Sequence, residues 1–212
     1  MEADPVSLSA AARSMSEPSA PAGRDASGPA LPTGALARAQ QGELAAFREL
    51  IRAHQDTVYT LALRMLKVPE DAEELAQDVF VLAHRHLGKI VSDDHLLFWL
   101  RRTVCHRAID RLRRRPHHPP VPLDGAEEMP HPDSSRDPLL ERHLREMVLQ
   151  LPPMARAVVL LRYQEDLDPP DIANVLGMPL NTVKSHLKRS LASLRVGCAE
   201  SGGPLAEEAS HD

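Results

Sequence analysis

The sequence predicts an all-α protein of two small helical domains joined by a flexible linker, and three observations predict it. Apolar residues recur at helical spacing through two separate stretches, 36–115 and 138–196. Between them, residues 116–137 read PHHPPVPLDGAEEMPHPDSSRD, a mixture of prolines, acids and histidines without helical period, which makes a semi-extended linker. The 212 residues suffice for one ordinary domain or two small ones, and 42% hydrophobic residues with only 3% aromatics require aliphatic cores.

Residues 1–35 are rich in Ala, Ser, Pro and Gly and carry no sustained apolar period, so a disordered extension is expected there. A first helix begins at Glu43, with Phe47, Leu50, Ile51, Val58, Leu61, Ala62 and Met65 on one face, and ends near Lys67, ahead of Pro69. A second runs from Pro69 to about His86. Its apolar face is Ala72, Leu75, Ala76, Val79, Leu82 and Ala83, and its outer face carries Asp71, Glu74, Gln77 and Asp78. Residues 88–94 form a loop, and a third helix from about His95 to Arg115 turns Leu97, Leu100, Val104, Ala108 and Leu112 inward. Three amphipathic helices with short connections make a small helical domain.

In the second stretch, helical period resumes with Leu140, Leu144, Met147, Val148 and Leu151. Pro152 and Pro153 break that helix and start another, through Val158 and Leu161 to Tyr163. Residues 166–195, DLDPPDIANVLGMPLNTVKSHLKRSLASLR, then read as two helices joined at Gly177. Asp168 can cap the first of the pair, Pro169 can take its first position, and Gly177 supplies the backbone freedom of a tight turn. Ile172, Ala173 and Leu176 face a core with Val183, Leu187, Leu191 and Leu194. Residues 197–212 are small, polar and acidic, and are expected to fray.

Charge is unevenly placed. The formal net charge of −5 argues against a uniformly basic coat, yet residues 99–115 hold seven arginines and one aspartate, and residues 181–195 hold two lysines and two arginines without an acid. In the helix pair, Thr182, Ser185, Lys188 and Arg189, with Lys184 at the flank, form a stripe suited to base edges and phosphates in a major groove. An exposed corner of a helical bundle could carry the same lysines; short polar Asn181 and Thr182 at the start of the helix favour the groove-reading arrangement. The arginine-rich helix carries Arg101, Arg102, Arg107, Arg111, Arg113, Arg114 and Arg115, with Arg107, Arg111 and Arg114 along one face. Two or three such residues suit the negative end of a helix dipole; seven point to phosphate. The stripe Asp71, Glu74 and Asp78 would repel DNA, so that face is free to dock a protein, with Gln77 and Phe80 as further anchors.

Other classes of function find no support. Cys105 and Cys198 sit in no metal-type or redox spacing and are expected to be ordinary reduced thiols. His117, His118 and His131 lie in the linker without a completing ligand set, so neither a metal nor a cofactor is expected. No phosphate-cradling loop or nucleophile motif appears, and an enzyme is not expected. No apolar run approaches a membrane span and no signal pattern opens the chain, so a cytoplasmic protein without membrane insertion is expected.

Two segments resemble bacterial sigma factors of the extracytoplasmic-function group. FRELIRAHQDTVYTLALRML, DAEELAQDVFVLAHRH and FWLRRTVCHRAIDRLRRR are similar to sigma region 2, and LPPMARAVVLLRYQEDL, DIANVLGMP and NTVKSHLKRSLASLR are similar to sigma region 4. The resemblance implies binding to core RNA polymerase and to promoter DNA, with a dedicated anti-sigma protein as a further partner. By family likeness, Asp71, Glu74, Gln77, Asp78 and Phe80 would dock on polymerase. The loop with Lys89, Ser92 and His95, and the third helix with Arg101, Arg102, His106, Arg107, Arg111 and Arg114, would capture the −10 element. Asn181, Thr182, Lys184, Ser185, His186, Lys188 and Arg189 would read the −35 element as duplex. His106 stands where the family often has Asn, Asp171 where Glu is usual, His186 where Arg is frequent, and Pro169–Pro170 is an unusual entry. A helix-turn-helix regulator acting on duplex DNA without polymerase is the alternative, and a helical adaptor without DNA activity a more distant one.

Overall fold

A computed structural model of the chain describes residues 34–114 and 138–200. Proline sets where several helices begin. Pro69, Pro153 and Pro169 lie in the first turns of α3 (Pro69–His86), α6 (Pro153–Tyr163) and α7 (Pro169–Leu176), where a missing N–H leaves no helical bond unmade. The remaining helices are α1 (Ala35–Gln40), α2 (Leu44–Leu66), α4 (Asp93–Arg114), α5 (Pro138–Gln150) and α8 (Leu180–Glu200), with a 3-10 turn over Leu87–Lys89. No strand occurs among the described residues.

Most helix ends fall within two residues of those that periodicity predicts, and the apolar faces of α2, α3 and α4 are the buried ones. Helix α1 departs from expectation. Six residues are too few to show a period or to be stable alone, and the helix exists because Ala35, Leu36 and Ala39 are buried against the rest of the domain. The frayed tail expected from residue 197 is also displaced, since α8 continues to Glu200. Cys198 is buried, and Gly197 lies so close to the Met147 side chain that a Cβ there would clash. Helix α5 therefore holds the last turns of α8 in place. The linker histidines His117, His118 and His131 lie outside the described residues.

Gly177 closes α7 with φ at 64°, the left-handed conformation that glycine adopts without penalty, and Met178 N–H donates to Ala173 O at 3.0 Å. Asp168 occupies the N-cap position but its side chain makes no cap bond; its carboxylate accepts from Arg162 at 3.0 Å. Arg162 also donates to Leu167 O, so the turn into α7 is held from α6.

The two domains dock on each other. One apolar core runs from Leu50, Leu61, Met65, Leu75 and Val104 into Val158, Leu161, Ile172 and Val175, with α2 and α4 packed on α6 and α7. Cys105 is fully buried within it, and burial pushes its thiol up to about 12, so it stays protonated.

His54 is also buried in α2, and neither ring nitrogen finds a hydrogen-bond partner among the described residues. Burial lowers its pKa from 6.5, Asp93 partly opposes this and Arg101 adds to it. The folded chain therefore binds a proton less readily than the unfolded chain. Stability should be complete above about 6.5 and should fall as pH drops below it. His54→Leu is expected to flatten that acid limb. Urea unfolding of both proteins at about pH 7.5 and about pH 5.5 measures it, and an equal acid loss in both would remove His54 as the cause.

Candidate nucleic-acid interface

Three groups of side chains were expected to make contacts, and the structure treats them differently. On α3, Glu74 and Gln77 are exposed, whereas Asp71, Asp78 and Phe80 are half-buried. Phe80 packs against the core, which leaves only part of its ring for a partner. The acidic stripe is bound to the arginine-rich helix: Arg111 donates to Asp78 at 2.8 Å, to Glu74 at 3.2 Å and to Asp71 O at 3.3 Å. Sequence reasoning placed Arg111 with the DNA-facing residues and the acids with a protein-docking face. Packing of α3 against α4 joins them into one cluster. Both carboxylates remain substantially exposed, so the pair is solvent-screened and adds little stability.

The loop before α4 is built by backbone caps. Ser92 Oγ accepts the His95 N–H at 3.1 Å and Ser92 O accepts the Leu96 N–H at 2.9 Å, which makes Ser92 the cap of α4. His95 Nδ1 in turn accepts the Val91 N–H at 3.2 Å. Leu87 and Ile90 are buried anchors, while Lys89, Val91 and Ser92 are exposed.

Along α4, two arginines are engaged by the second domain. Arg101 Nε donates to Glu165 at 2.8 Å, a pair with side chains only 14% and 6% exposed. Arg102 donates to Asn174 O at 2.9 Å and Val175 O at 3.2 Å, at the negative end of α7. His106 Nδ1–H donates to Arg102 O at 2.8 Å, which turns Nε2 to the other side of the ring. Arg107 is half-exposed and Arg114 exposed.

The third group forms an uninterrupted stripe on α8. Asn181, Lys184, Ser185, Lys188 and Arg189 are exposed, with Thr182 and His186 half-buried beside them. The opposite side of the helix is fixed in the core by Val183, Ser190 and Leu194. Ser185 Oγ–H donates to Asn181 O at 2.8 Å, which leaves the hydroxyl oxygen available as an acceptor, and Arg189 Nε donates to Ser185 O at 3.2 Å. Burial, and then Arg189, lower the pKa of His186, so the ring is neutral at neutral pH and adds no charge to the stripe. Between Leu180 and Val196 no acid interrupts it. A rigid helix presenting three cations and short polar groups, seated on a partner helix through a glycine turn, can enter a major groove.

The family model for Sigma-70 region 2 matches residues 50–117, and that for Sigma-70, region 4 matches residues 141–194. The chain is 32% identical over 161 residues to the ECF RNA polymerase sigma factor SigM of Mycobacterium tuberculosis, covering 75% of this chain and 80% of that protein. The chain belongs to the sigma-70 family, in its extracytoplasmic-function group. Another relative, the ECF RNA polymerase sigma factor SigW of Bacillus subtilis, is 26% identical, covering 76% of this chain and 92% of that one. The fold also matches the structure of CnrH in complex with the cytosolic domain of CnrY, with a TM-score of 0.57 at 23% identity, over 76% of this chain and 93% of that chain.

Three further residues tie elements of this sigma-70 family member together, and none of them belongs to the three groups above. Gln40, from α1, reaches the loop before α4. Glu165 holds Arg101. Arg156 is buried and donates to Met65 O, Leu149 O and Leu151 O. Only Arg156 left a trace in the sequence, as a lone cation within the apolar run from Met154 to Leu161. No group of three or more His, Cys, Asp or Glu side chains among the described residues could hold a metal ion, and no described helix is long and apolar enough to cross a membrane.

Proposed function

We propose that this chain is an alternative sigma factor that binds core RNA polymerase and directs it to promoters by gripping a −10 and a −35 element. One observation carries the reading: a single chain holds both region 2 and region 4, and the uninterrupted basic stripe of α8 lies in the second of them. The acid face of α3, with Asp71, Glu74, Gln77, Asp78 and the exposed part of Phe80, docks on polymerase. Lys89, Ser92 and His95 in the loop, with Arg101, Arg102, His106, Arg107, Arg111 and Arg114 on α4, hold the separated −10 strand. Asn181, Thr182, Lys184, Ser185, His186, Lys188 and Arg189 read −35 duplex. The factor performs no bond chemistry; binding energy for the exposed strand offsets the cost of unstacking it. A dedicated anti-sigma protein is a further partner, as the family likeness implies.

The docked domains bear on the α4 contacts. Arg101 and Arg102 can turn all their donors to phosphate by exchanging Glu165 and the α7 carbonyls for it. Promoter binding and separation of the two domains are therefore linked.

Run-off transcription on fragmented genomic DNA with core polymerase tests the function directly: transcripts above core enzyme alone are expected, and none with intact protein would favour the duplex-binding regulator. The docking face has its own test. Asp78→Arg should weaken core binding by about tenfold or more through charge reversal, while duplex binding through α8 is unchanged. Because Asp78 also accepts from Arg111, Arg111→Ala serves as control. It breaks the same pair without removing the acid, and core affinity should hold or rise. Equal losses in both variants would assign the effect to the α3–α4 contact instead.

A further inference from the structure

The loop that precedes α4 is clamped from outside its own sequence. The Gln40 side-chain amide sits at the end of α1 and carries two N–H donors. Its Nε2 donates to Leu87 O at 2.9 Å and to Ile90 O at 2.7 Å, some fifty residues along the chain. These are the two ends of the 3-10 turn, and Ile90 N–H closes the same turn onto Leu87 O at 3.0 Å. Inside the clamp, Leu87 and Ile90 are buried; beyond it, Ser92 and His95 cap α4 through backbone bonds. What the clamp presents is the segment between these anchors, with Lys89 exposed and Val91 84% exposed, the most exposed of the large hydrophobic residues described.

A loop tip with an apolar side chain would ordinarily be mobile. Here the carbonyls of Leu87, Ile90 and Ser92 and the amides of Ile90 and Val91 are tied, so Val91 is displayed on a backbone held on both sides. A rigid apolar surface next to a cation suits one unstacked base: the base face packs on the side chain and the adjoining phosphate meets the lysine. Rigidity matters because a pre-set loop loses little conformational freedom on capture.

We infer that Gln40 is a positioning residue for −10 recognition: it fixes the loop so that Val91 contacts the captured base and Lys89 its phosphate. The inference rests on the proposed −10 role of this loop and adds a helix, a clamp and an apolar contact to it. Helix α1 then belongs to the promoter grip, though none of its own side chains need touch DNA.

Holoenzyme assembled from full-length protein and core polymerase can be tested on single-stranded −10 oligonucleotides from a promoter found by run-off transcription. An abasic site is moved through the oligonucleotide to locate the captured base in the wild type. Gln40→Met keeps length and helix propensity but removes both donors. It should weaken binding of the intact strand about tenfold, the equivalent of two ordinary hydrogen bonds, and the loss should vanish on the strand abasic at the captured position. Val91→Ser should show the same pattern, and Gln40→Lys, which restores donors, should recover binding. Hydrogen exchange reports the clamp without DNA: the Ile90 amide should exchange faster in Gln40→Met. A loss that persists on every abasic strand, or no loss at all, overturns the positioning role. If Ile90 exchange responds but no abasic site weakens the wild type, the −10 role of the loop is what fails, and this inference falls with it.

Discussion

Replacing Arg156 with methionine is expected to lower stability by about 2–4 kcal/mol, enough to move the unfolding midpoint by roughly 5–12 °C. Arg156 is only 6% exposed, and its guanidinium caps two helix ends at once. Met65 O belongs to the last turn of α2, Leu149 O to the last turn of α5, and Leu151 O, at 3.2 Å, to the turn that follows. Carbonyls at helix C-termini have no partner within the helix and carry the negative end of its dipole, so one cation with several donors satisfies them together. Methionine fills the space but donates nothing, and each orphaned buried carbonyl costs about 1–2 kcal/mol. Relief from burying a charge offsets part of this. Burial holds the Arg156 pKa down to about 10, still well above neutrality, so the group is charged in the working protein. Arg156→Lys keeps the charge but lacks the planar fork, and should recover only part of the loss. Because Met65 lies in the first domain and Arg156 in the second, urea unfolding should also show the domains separating more easily. A destabilisation below about 1 kcal/mol would mean that these carbonyls find other donors.

The second large effect is expected on DNA. Replacing Lys184, Lys188 and Arg189 together by alanine should weaken holoenzyme binding to promoter duplex about 100-fold or more at moderate salt. All three side chains are exposed on α8, and alanine is a better helix former than either residue, so the fold should be unaffected. The diagnostic is the salt dependence. Each phosphate contact that is lost removes about one released counterion, so the slope of log affinity against log salt should become shallower by about 2–3. Binding of core polymerase should not change, since the proposed docking face lies on α3. An unchanged salt slope would place the phosphate contacts elsewhere.

Particular residues show why some of this was legible in the sequence and some was not. The stripe of α8 could be read directly, because helical periodicity separates Val183, Leu187 and Leu194 from Lys184, Lys188 and Arg189 without reference to any other element. The same reasoning located the Gly177 turn and the proline starts. It failed for Arg111, whose position on α4 says which side of the helix it occupies but not that Asp78 stands opposite. Nor does position along α4 say that Glu165 meets Arg101 or that carbonyls of α7 meet Arg102, the two proposed −10 contacts that the second domain engages. Ser92 and His95 were selected as strand contacts and also turn out to cap α4.

Local order was therefore determined by the sequence itself: helix positions, apolar faces, turn residues, and which face of a helix carries its charges. These depend on interactions within a few residues, where spacing along the chain is spacing in space. Tertiary structure alone decided what each charge meets. Glu165 lies 64 positions from Arg101, Met65 lies 91 positions from Arg156, and Gln40 reaches a loop some fifty residues away. No periodic pattern encodes such pairings, because they arise when buried aliphatic faces dock and polar groups at their margins settle on whichever donor or acceptor the packing brings near.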